Sequence, residues 1–461
     1  MRSVKEVMDS RNMAVFGASR DPLKAGSVLL ELLRKTRFLG RLAGINPGGG
    51  EVNGFTLYKH LDDVPFEVDL GVMLIPPHAV PDALRACARK GVKGVVISSE
   101  GFAEAGGEGG SYQEEAHKIF CASGMRGFGP NTLGVVNTST GMTTSYIADA
   151  RALRPGSVGM VAQSGIFVGA LLRYISSVEG LQLSKGLGLG NKVDVDESDA
   201  LAYLAQDDAT RMVGLYLEDI RDGRRFLEVA RECVQKKPVL LLKGGVTERG
   251  AQATATHTAS LAMNDVILDG ALRQAGVIRV GSVDELVSTL LGFSLTPLPR
   301  GDRIAVVTYS GAQAVMSIDE ATKEGLLLAD LGTRTREMLS QVIKNSAKAS
   351  NPVDMFPDMM SQGFEKTNTQ ILRALLMDPG VHGVVFISFA RSDIQSFLPL
   401  VEVVKEKGNK PVFFSLLGTR EDVEGDRDFL EKHGIPFYSF PETAVRVFAR
   451  MWRYARKAKE S

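Results

Sequence analysis

The sequence predicts an α/β protein with three domains and parallel β-sheets. Apolar runs recur along the chain, at residues 13–16, 70–75 and 94–97 among others, and helical patterns separate them. Such runs are typical of parallel strands that are buried on both faces and connected by crossover helices. Clusters of proline and glycine at residues 154–157 and 296–301 indicate two linkers between domains.

The two linkers divide the chain into predicted domains at residues 1–143, 154–296 and 301–461. The second and third domains are predicted to be flavodoxin-like copies of one plan, because residues 158–165 resemble residues 304–311, each reading as a strand, a Ser-Gly turn and a helix.

The two copies differ at the positions where catalytic residues would lie. Aligning Gly214 with Gly383 places Glu218 opposite Ile387, and the third domain has no counterpart of the run around His257. If the chain is catalytic, its catalytic groups are therefore expected in the second domain. Simple divergence of two structural copies is the alternative explanation.

The composition of the chain argues against several classes of protein. Lysine plus arginine equals aspartate plus glutamate at 54 each, which gives no global field for nucleic acid. The three cysteines, Cys87, Cys121 and Cys233, are scattered and suit neither a disulfide framework nor a zinc site. We expect a cytoplasmic protein with no metal site and no membrane anchor, since the sequence has no apolar signal region and no run long enough to span a bilayer.

The run at residues 253–262 places His257, one of six histidines, among small hydroxylated residues. It follows an apolar strand that is closed by Gly244-Gly245. Ligands in open α/β sheets bind beyond the carboxyl ends of strands, where glycine lets the backbone approach and helix N-termini favour anions. The run therefore predicts a reactive histidine beside an anion. The alternative is a loop histidine that is satisfied by hydrogen bonds.

Glycine-rich turns after the first-domain strands are candidates for binding a ligand that carries phosphates. Small residues in these turns expose backbone N–H groups, and the two basic side chains add positive charge. The spacing is not GxGxxG, so the turns could equally serve strand-to-helix packing. The candidate residues are Gly17, Ser19, Arg20, Lys24, Asn46, Pro76 and Asn131.

The second domain offers a further anion site. Gln163, Ser164 and Gly165 begin a helix, and Gly190 and Asn191 follow a strand. Their amides are expected to face an anion.

Three charged features near these turns and at the C-terminus have open interpretations. The adjacent Lys192 is expected to supply a cation to the anion. The acidic run from Asp194 to Asp199 lacks EF-hand spacing, so compensation of a helix dipole is favoured over metal binding. A basic helical face near the C-terminus could dock a partner or simply be solvated; it contains Arg446, Arg450, Arg453, Arg456 and Lys457.

Taken together, these motifs resemble the NDP-forming acyl-CoA synthetases of the ADP-forming acetate-CoA ligase type, and more distantly succinyl-CoA synthetase. The resemblance covers nearly the whole chain, and the order of the short motifs makes it specific. The motifs are Gly17-Ala18-Ser19, Asn46-Pro47, Gly129-Pro130-Asn131-Thr132-Leu133-Gly134, Gln163-Ser164-Gly165, Gly190-Asn191-Lys192-Val193-Asp194-Val195-Asp196, His257-Thr258-Ala259-Ser260-Leu261-Ala262 and Asn351-Pro352-Val353-Asp354.

The resemblance implies an α-type subunit with a Rossmann-like CoA-binding domain followed by two flavodoxin-like ligase-CoA domains. It implies that acyl-CoA, phosphate and ADP are interconverted with carboxylate, CoA and ATP through an acyl phosphate and a phosphohistidine. His257 would be the nucleophile, and Glu218 would orient its ring. Gln163, Ser164, Gly165, Gly190 and Asn191 would hold phosphate and the acyl phosphate.

The first-domain candidates would bind CoA. A separate ATP-grasp β-type subunit would bind ADP or ATP with magnesium, so the resemblance implies a hetero-oligomer.

Three departures from the family pattern put substrate choice and third-domain phosphoryl handling in question. Gly244-Gly245-Val246-Thr247 lacks the usual arginine, Ala259 stands where glycine is common, and Tyr309-Ser310-Gly311-Ala312 replaces a typical Asn-Ala-Gly-Gly turn. A non-catalytic protein that binds or senses CoA on the same fold remains the alternative. An NAD-dependent oxidoreductase is disfavoured by the missing GxGxxG.

Overall fold

The computed structural model describes residues 2–147, 153–252, 264–356 and 358–460. It divides into two compact units, Met1–Ser282 and Val283–Ser461. The proposed nucleophile His257 lies outside the described residues.

The first sheet lies in the first unit and has the order β3-β4-β2-β1-β5-β6-β7. Its pairs are parallel except β3 with β4, so the carboxyl ends of the central strands share one edge. The strands are β1 Asn12–Phe16, β2 Arg41–Ile45, β3 Gly50–Val52, β4 Phe55–Tyr58, β5 Leu70–Met73, β6 Gly94–Ile97 and β7 Arg126–Phe128. The helices are α1 Val4–Met8, α2 Ala25–Lys35, α3 Val80–Arg89 and α4 Gly109–Ser123.

The second sheet has the order β14-β13-β12-β10-β11-β8-β9. In chain order, its first two strands are β8 and β9, which come from residues 135–143. Strand β8 pairs with β11 in antiparallel fashion. The strands are β8 Val135–Asn137, β9 Met142–Thr143, β10 Val158–Ala162, β11 Leu183–Gly188, β12 Met212–Leu217, β13 Val239–Lys243 and β14 Ile278–Val280. The helices are α5 Gly165–Ser177, α6 Glu197–Gln206, α7 Gly223–Val234 and α8 Asp265–Ala275.

The third sheet lies in the second unit, with the order β16-β15-β18-β19 and β17 paired to β15. Its strands are β15 Arg303–Thr308, β16 Leu327–Leu328, β17 Val353–Asp354, β18 Gly383–Phe389 and β19 Val412–Leu417. The helices are α9 Val283–Leu295, α10 Gly311–Lys323, α11 Thr333–Ser340, α12 Asp358–Gln362, α13 Phe364–Met377, α14 Leu398–Lys407, α15 Arg420–Lys432 and α16 Pro441–Glu460. The three sheets confirm the predicted α/β class with mainly parallel strands.

The basic face of α16 is an internal feature of the second unit. Arg446 pairs with Glu320 at 2.9 Å, and Arg450 pairs with Glu285 at 2.7 Å. Arg453 pairs with Glu324. Neither a partner nor solvent alone explains these arginines, because they fix α16 against α9 and α10.

The register of the strands corrects the predicted alignment of the two copies. Val161 lies beside Leu215 in the second sheet, and the equivalent Val307 lies beside Phe386 in the third. Three residues further along, Glu218 therefore corresponds to Phe389. The alignment on Gly214 and Gly383 is wrong by two residues.

Gly383, on which the alignment was based, is a glycine for a local reason. A Cβ on Gly383 would lie 2.4 Å from the Phe448 ring, so this glycine reflects the packing of α16 rather than the repeat.

Candidate functional site

The loop after β1 closely approaches the loop after β5. Gly17 has a φ of +89°, and a Cβ there would lie 2.1 Å from the Leu74 carbonyl oxygen. Only glycine fits such a position without displacing backbone. Ser19 continues the loop, and its backbone N–H donates to the Ser27 hydroxyl at the start of α2.

Asn46 and Arg20 connect this loop to the one after β2. Asn46 Nδ2 donates to the Ala18 carbonyl oxygen at 2.7 Å. Arg20 donates to the carbonyl oxygens of Gly48 and Gly49 at 3.0 and 3.1 Å. The predicted residues thus lie together, but these two side chains already bind backbone oxygens. Lys24 is exposed at the N-terminus of α2.

Pro76 and Asn131 lie at the same edge of the first sheet. Ser99 connects them, because its hydroxyl donates to the Ile75 carbonyl and its own carbonyl accepts from the Asn131 N–H at 2.8 Å. Asn131 has a φ of +59° and is partly exposed. All the predicted first-domain residues therefore lie along one carboxyl edge.

The turn at Gly190 joins the first and second sheets. A Cβ on Gly190 would lie 2.1 Å from the Pro130 carbonyl oxygen, and the Asn191 N–H donates to that same oxygen at 2.9 Å. Asn191 Nδ2 donates to Gln113 Oε1 at 2.9 Å and to Glu104 Oε2 at 2.5 Å, both from the first-sheet side. The two predicted sets of residues thus meet within one compact unit.

Gln163 supports the backbone of the candidate acid. Its buried Oε1 accepts the N–H groups of Glu218 at 2.9 Å and Asp219 at 3.1 Å, while its carbonyl accepts the Gly190 N–H at 3.1 Å. Ser164 and Gly165 follow directly, as the N-cap and first residue of α5. The first N–H groups of a helix have no intrahelical partner, so the N–H groups of this turn are available to an anion.

Two residues that sequence reasoning missed surround Glu218. The Tyr216 hydroxyl donates to Glu218 Oε1 at 3.3 Å, and Lys243 Nζ donates to the Glu218 carbonyl oxygen at 2.6 Å. Burial, with the Glu218 charge, raises the pKa of Tyr216 to about 12, and burial lowers the pKa of Lys243. Both residues lie at carboxyl strand ends, a signal that could have identified them.

The sequence predicted that Lys192 supplies a cation to an anion site. The structure contradicts this prediction. Lys192 is 2% exposed and donates to Glu197 Oε2 at 2.8 Å and to both the carbonyl and the carboxylate of Asp219. The acidic run has the structural role that the sequence favoured over metal binding: Asp196 caps the N-terminus of α6, and Glu197 and Asp199 lie in its first turn.

Among the described residues, no group of three metal-ligating side chains is found. The same residues contain no helix with the length and apolar character needed to cross a membrane.

Comparison with known proteins identifies each segment. The description "CoA binding domain" matches residues 11–138, "Succinyl-CoA ligase like flavodoxin domain" matches 155–293, and "Ligase-CoA domain" matches 304–460.

Two of the relatives that match almost the whole chain differ in length. Acetate–CoA ligase [ADP-forming] II subunit alpha of Pyrococcus furiosus is 37% identical, over 97% of this chain and 96% of the relative. Acetate–CoA ligase [ADP-forming] II of Archaeoglobus fulgidus is 35% identical, over 99% of this chain but 68% of the longer relative.

A solved structure agrees with these relatives. Dinucleotide-forming acetyl-coenzyme A synthetase 1 of Ca. Korarchaeum cryptofilum, in complex with phosphate and ADP, superposes with a TM-score of 0.92 at 30% identity. The match covers 100% of this chain and 98% of that one. The chain therefore belongs to the ADP-forming acyl-CoA synthetase family and corresponds to its α-type part.

Proposed function

We propose that this chain interconverts acyl-CoA, phosphate and ADP with carboxylate, CoA and ATP, together with a separate ATP-grasp β-type subunit. The carrying observation is the connected group of Gln163, Glu218 and Gly190 beside the N-terminus of α5. It supports the proposal because helix N–H groups that suit an anion lie beside an acidic residue whose backbone is held by Gln163. The partner is proposed because relatives of the same length are named alpha subunits.

CoA is proposed to bind along the first-sheet edge, in the domain at residues 1–143. The close approach at Gly17 forms a backbone cradle, and the cations of Arg20 and Lys24 suit phosphates. Ser19, Asn46, Pro76 and Asn131 shape that edge. Residues 154–296 and 301–461 are proposed as the two ligase-CoA domains.

In the first step, a phosphate oxygen attacks the thioester carbonyl carbon, the C–S bond breaks, and the CoA thiolate leaves and takes up a proton. We propose that Ser164 and Gly165 orient the phosphate through N–H groups at the start of α5. The wall of this site is formed by Gln163, Gly190 and Asn191. Their polar groups are largely occupied by hydrogen bonds to neighbouring loops, so these residues shape the site.

In the second step, a ring nitrogen of His257 attacks phosphorus, and the P–O bond to the carboxylate breaks. A neutral imidazole can attack without first losing a proton, and covalent catalysis divides a difficult transfer into two easier ones. Glu218 orients the ring and stabilises the positive charge of the phosphorylated imidazole. The phosphoryl group then passes to ADP, which with Mg²⁺ is assigned to the β-type subunit.

The test combines the chain with an ATP-grasp subunit, acyl-CoA, ADP and radiolabelled phosphate. We expect ATP formation and an acid-labile phosphoprotein, both lost in His257→Ala and strongly reduced in Glu218→Gln. His433→Ala, a histidine at the C-terminal end of α15 in the second unit, is the matched control and should behave as wild type. Full ATP formation and labelling in His257→Ala would refute the mechanism. CoA binding without any turnover would favour a non-catalytic sensor instead.

A cytoplasmic location is proposed with this function. All three cysteines are free thiols, and Cys87 and Cys233 are buried, which fits a reducing compartment.

A further inference from the structure

Lys243 is a buried cation at the carboxyl end of β13. It is 8% exposed, and its Nζ donates to the carbonyl oxygens of Glu218, at 2.6 Å, and of Gly244. An ammonium group has three N–H donors, so the third has no partner in the described part of the chain. No carboxylate of those described residues pairs with Lys243, whereas the buried Lys192 forms two ion pairs. Lys243 therefore holds an unpaired charge and an unused donor next to the Glu218 backbone.

Comparison of the two copies separates Lys243 from a lysine that supports the fold. Lys237 precedes β13 and binds carbonyl oxygens at the C-terminal end of α6, and Lys410 precedes β19 and does the same at the end of α13. Further along these two strands, the register makes Lys243 correspond to Leu416. The supporting lysine is thus present in both copies, whereas Lys243 occurs only in the copy with the proposed reaction site.

Phosphate and the acyl phosphate would bring negative charge to a place that already holds a carboxylate. A phosphoryl group carries about −1.5 to −2 charges at pH 7, and Glu218 adds another, so a cation is required nearby. From Gly244 to Met263, the sequence has a single lysine or arginine, the exposed Arg249. Burial lowers the pKa of Lys243 because its ammonium loses solvation, and a bound anion would return that stabilisation. The buried position beside Glu218 favours Lys243 over Arg249.

We propose that the Lys243 ammonium binds a phosphoryl oxygen of phosphate and of the acyl phosphate through its remaining N–H, and so offsets the negative charge of Glu218. This inference rests on the proposed function and adds a residue to its site. No bond to Lys243 forms or breaks; the ammonium stays protonated and acts as a fixed positive charge. A charge-assisted hydrogen bond at a buried position is stronger than a neutral one and is screened less by salt than an exposed one.

The experiment measures ATP formation by the complete enzyme, the chain plus its ATP-grasp subunit, with acetyl-CoA, ADP and inorganic phosphate. Lys243→Met removes the charge at similar volume and should raise the KM for phosphate about 10-fold or more, while the KM for acetyl-CoA stays within about 2-fold of wild type. Lys243→Arg keeps the charge and should recover a substantial part of the loss. Lys243→Gln keeps two N–H donors without the charge and should show the same phosphate defect, which protects the test if Lys243→Met folds poorly.

Lys237→Met is the matched control. It also removes a buried ammonium that binds two carbonyl oxygens, but at the opposite end of β13. Its stability in urea should fall as that of Lys243→Met does, whereas its KM for phosphate should equal that of wild type.

The outcomes separate this inference from the proposed function. A wild-type enzyme that forms no ATP overturns the proposed function and, with it, this inference. An active wild type with an unchanged KM for phosphate in Lys243→Met and Lys243→Gln overturns this inference alone. A loss of kcat that Lys243→Arg does not recover, at an unchanged KM for phosphate, shows that Lys243 only supports the Glu218 backbone, and the inference is wrong. It is equally wrong if Arg249→Met has the phosphate defect and the Lys243 variants do not.

Discussion

Replacing Lys192 by methionine should strongly destabilise the first compact unit. The Lys192 ammonium is 2% exposed and makes three hydrogen bonds, one to Glu197 and two to Asp219. Glu197 is itself fully buried, with the Arg221 N–H at 2.7 Å as its other donor. Methionine fills similar volume at the same backbone φ of +56°, so the substitution isolates the charge.

The expected cost is about 3–5 kcal/mol, the range for removing one partner of a buried ion pair and leaving the other uncompensated. Adding Glu197→Gln should recover a substantial part, because the uncompensated charge is then removed. Lys5→Met is the matched control: its ion pair with Asp9 is exposed, and its loss should cost less than about 1 kcal/mol.

Urea unfolding followed by circular dichroism gives the free energies, and hydrogen exchange of residues 190–206 reports the local effect. Exchange there should accelerate in Lys192→Met and slow again in the double variant. The reasoning is refuted if Lys192→Met lies within about 1 kcal/mol of wild type, or if the double variant is no more stable than the single one.

Three further predictions concern other sites. Burial raises the pKa of Asp426 from 3.8 to about 6, so ionisation of this carboxyl group opposes folding as pH rises from about 4 to above 6. Asp426→Asn should therefore stabilise the protein by up to ~3 kcal/mol at pH 7–8 but not at pH 4. Thermal unfolding of both proteins at each pH measures the difference. Gly17→Ala should bind CoA more weakly in calorimetry and should be at least ~2 kcal/mol less stable. The control Gly54→Ala has a similar φ of +83° but open space around it, so its stability should fall only by the cost of backbone strain. Gln163→Ala leaves the Glu218 N–H without its acceptor, and ATP formation should fall about 10-fold or more without an equal rise in the KM for CoA; an unchanged kcat would contradict the supporting role of Gln163.

Local patterns predicted much of the fold, because they depend on neighbours in sequence. The apolar runs at residues 13–16, 70–75 and 94–97 correspond to β1, β5 and β6. Lys192 could not be interpreted in this way. Its partners Glu197 and Asp219 come from separate elements, so the sequence showed a basic residue in a glycine turn but not its burial.

The candidate site was predicted in its positions more than in its contacts. The turn that begins α5 pointed to Gln163, and the comparison of the two copies pointed to Glu218, but the hydrogen bond between them depends on how β10 and β12 pair. Tyr216 and Lys243 were missed because they belong to no motif, and the contact of Lys243 with Glu218 depends on how β12 and β13 pair. The roles of the candidate residues stay predictions until the variants are measured.

The hairpin formed by β8 and β9 ties the first predicted domain to the second sheet. A fragment that ends at residue 143 would carry two strands without their neighbour β11, and a fragment that begins at residue 154 would leave the edge of β11 open. Unpaired strand edges are templates for aggregation. Attempts to express either part alone should therefore divide the chain before Val135, so that the hairpin remains with the sheet it completes.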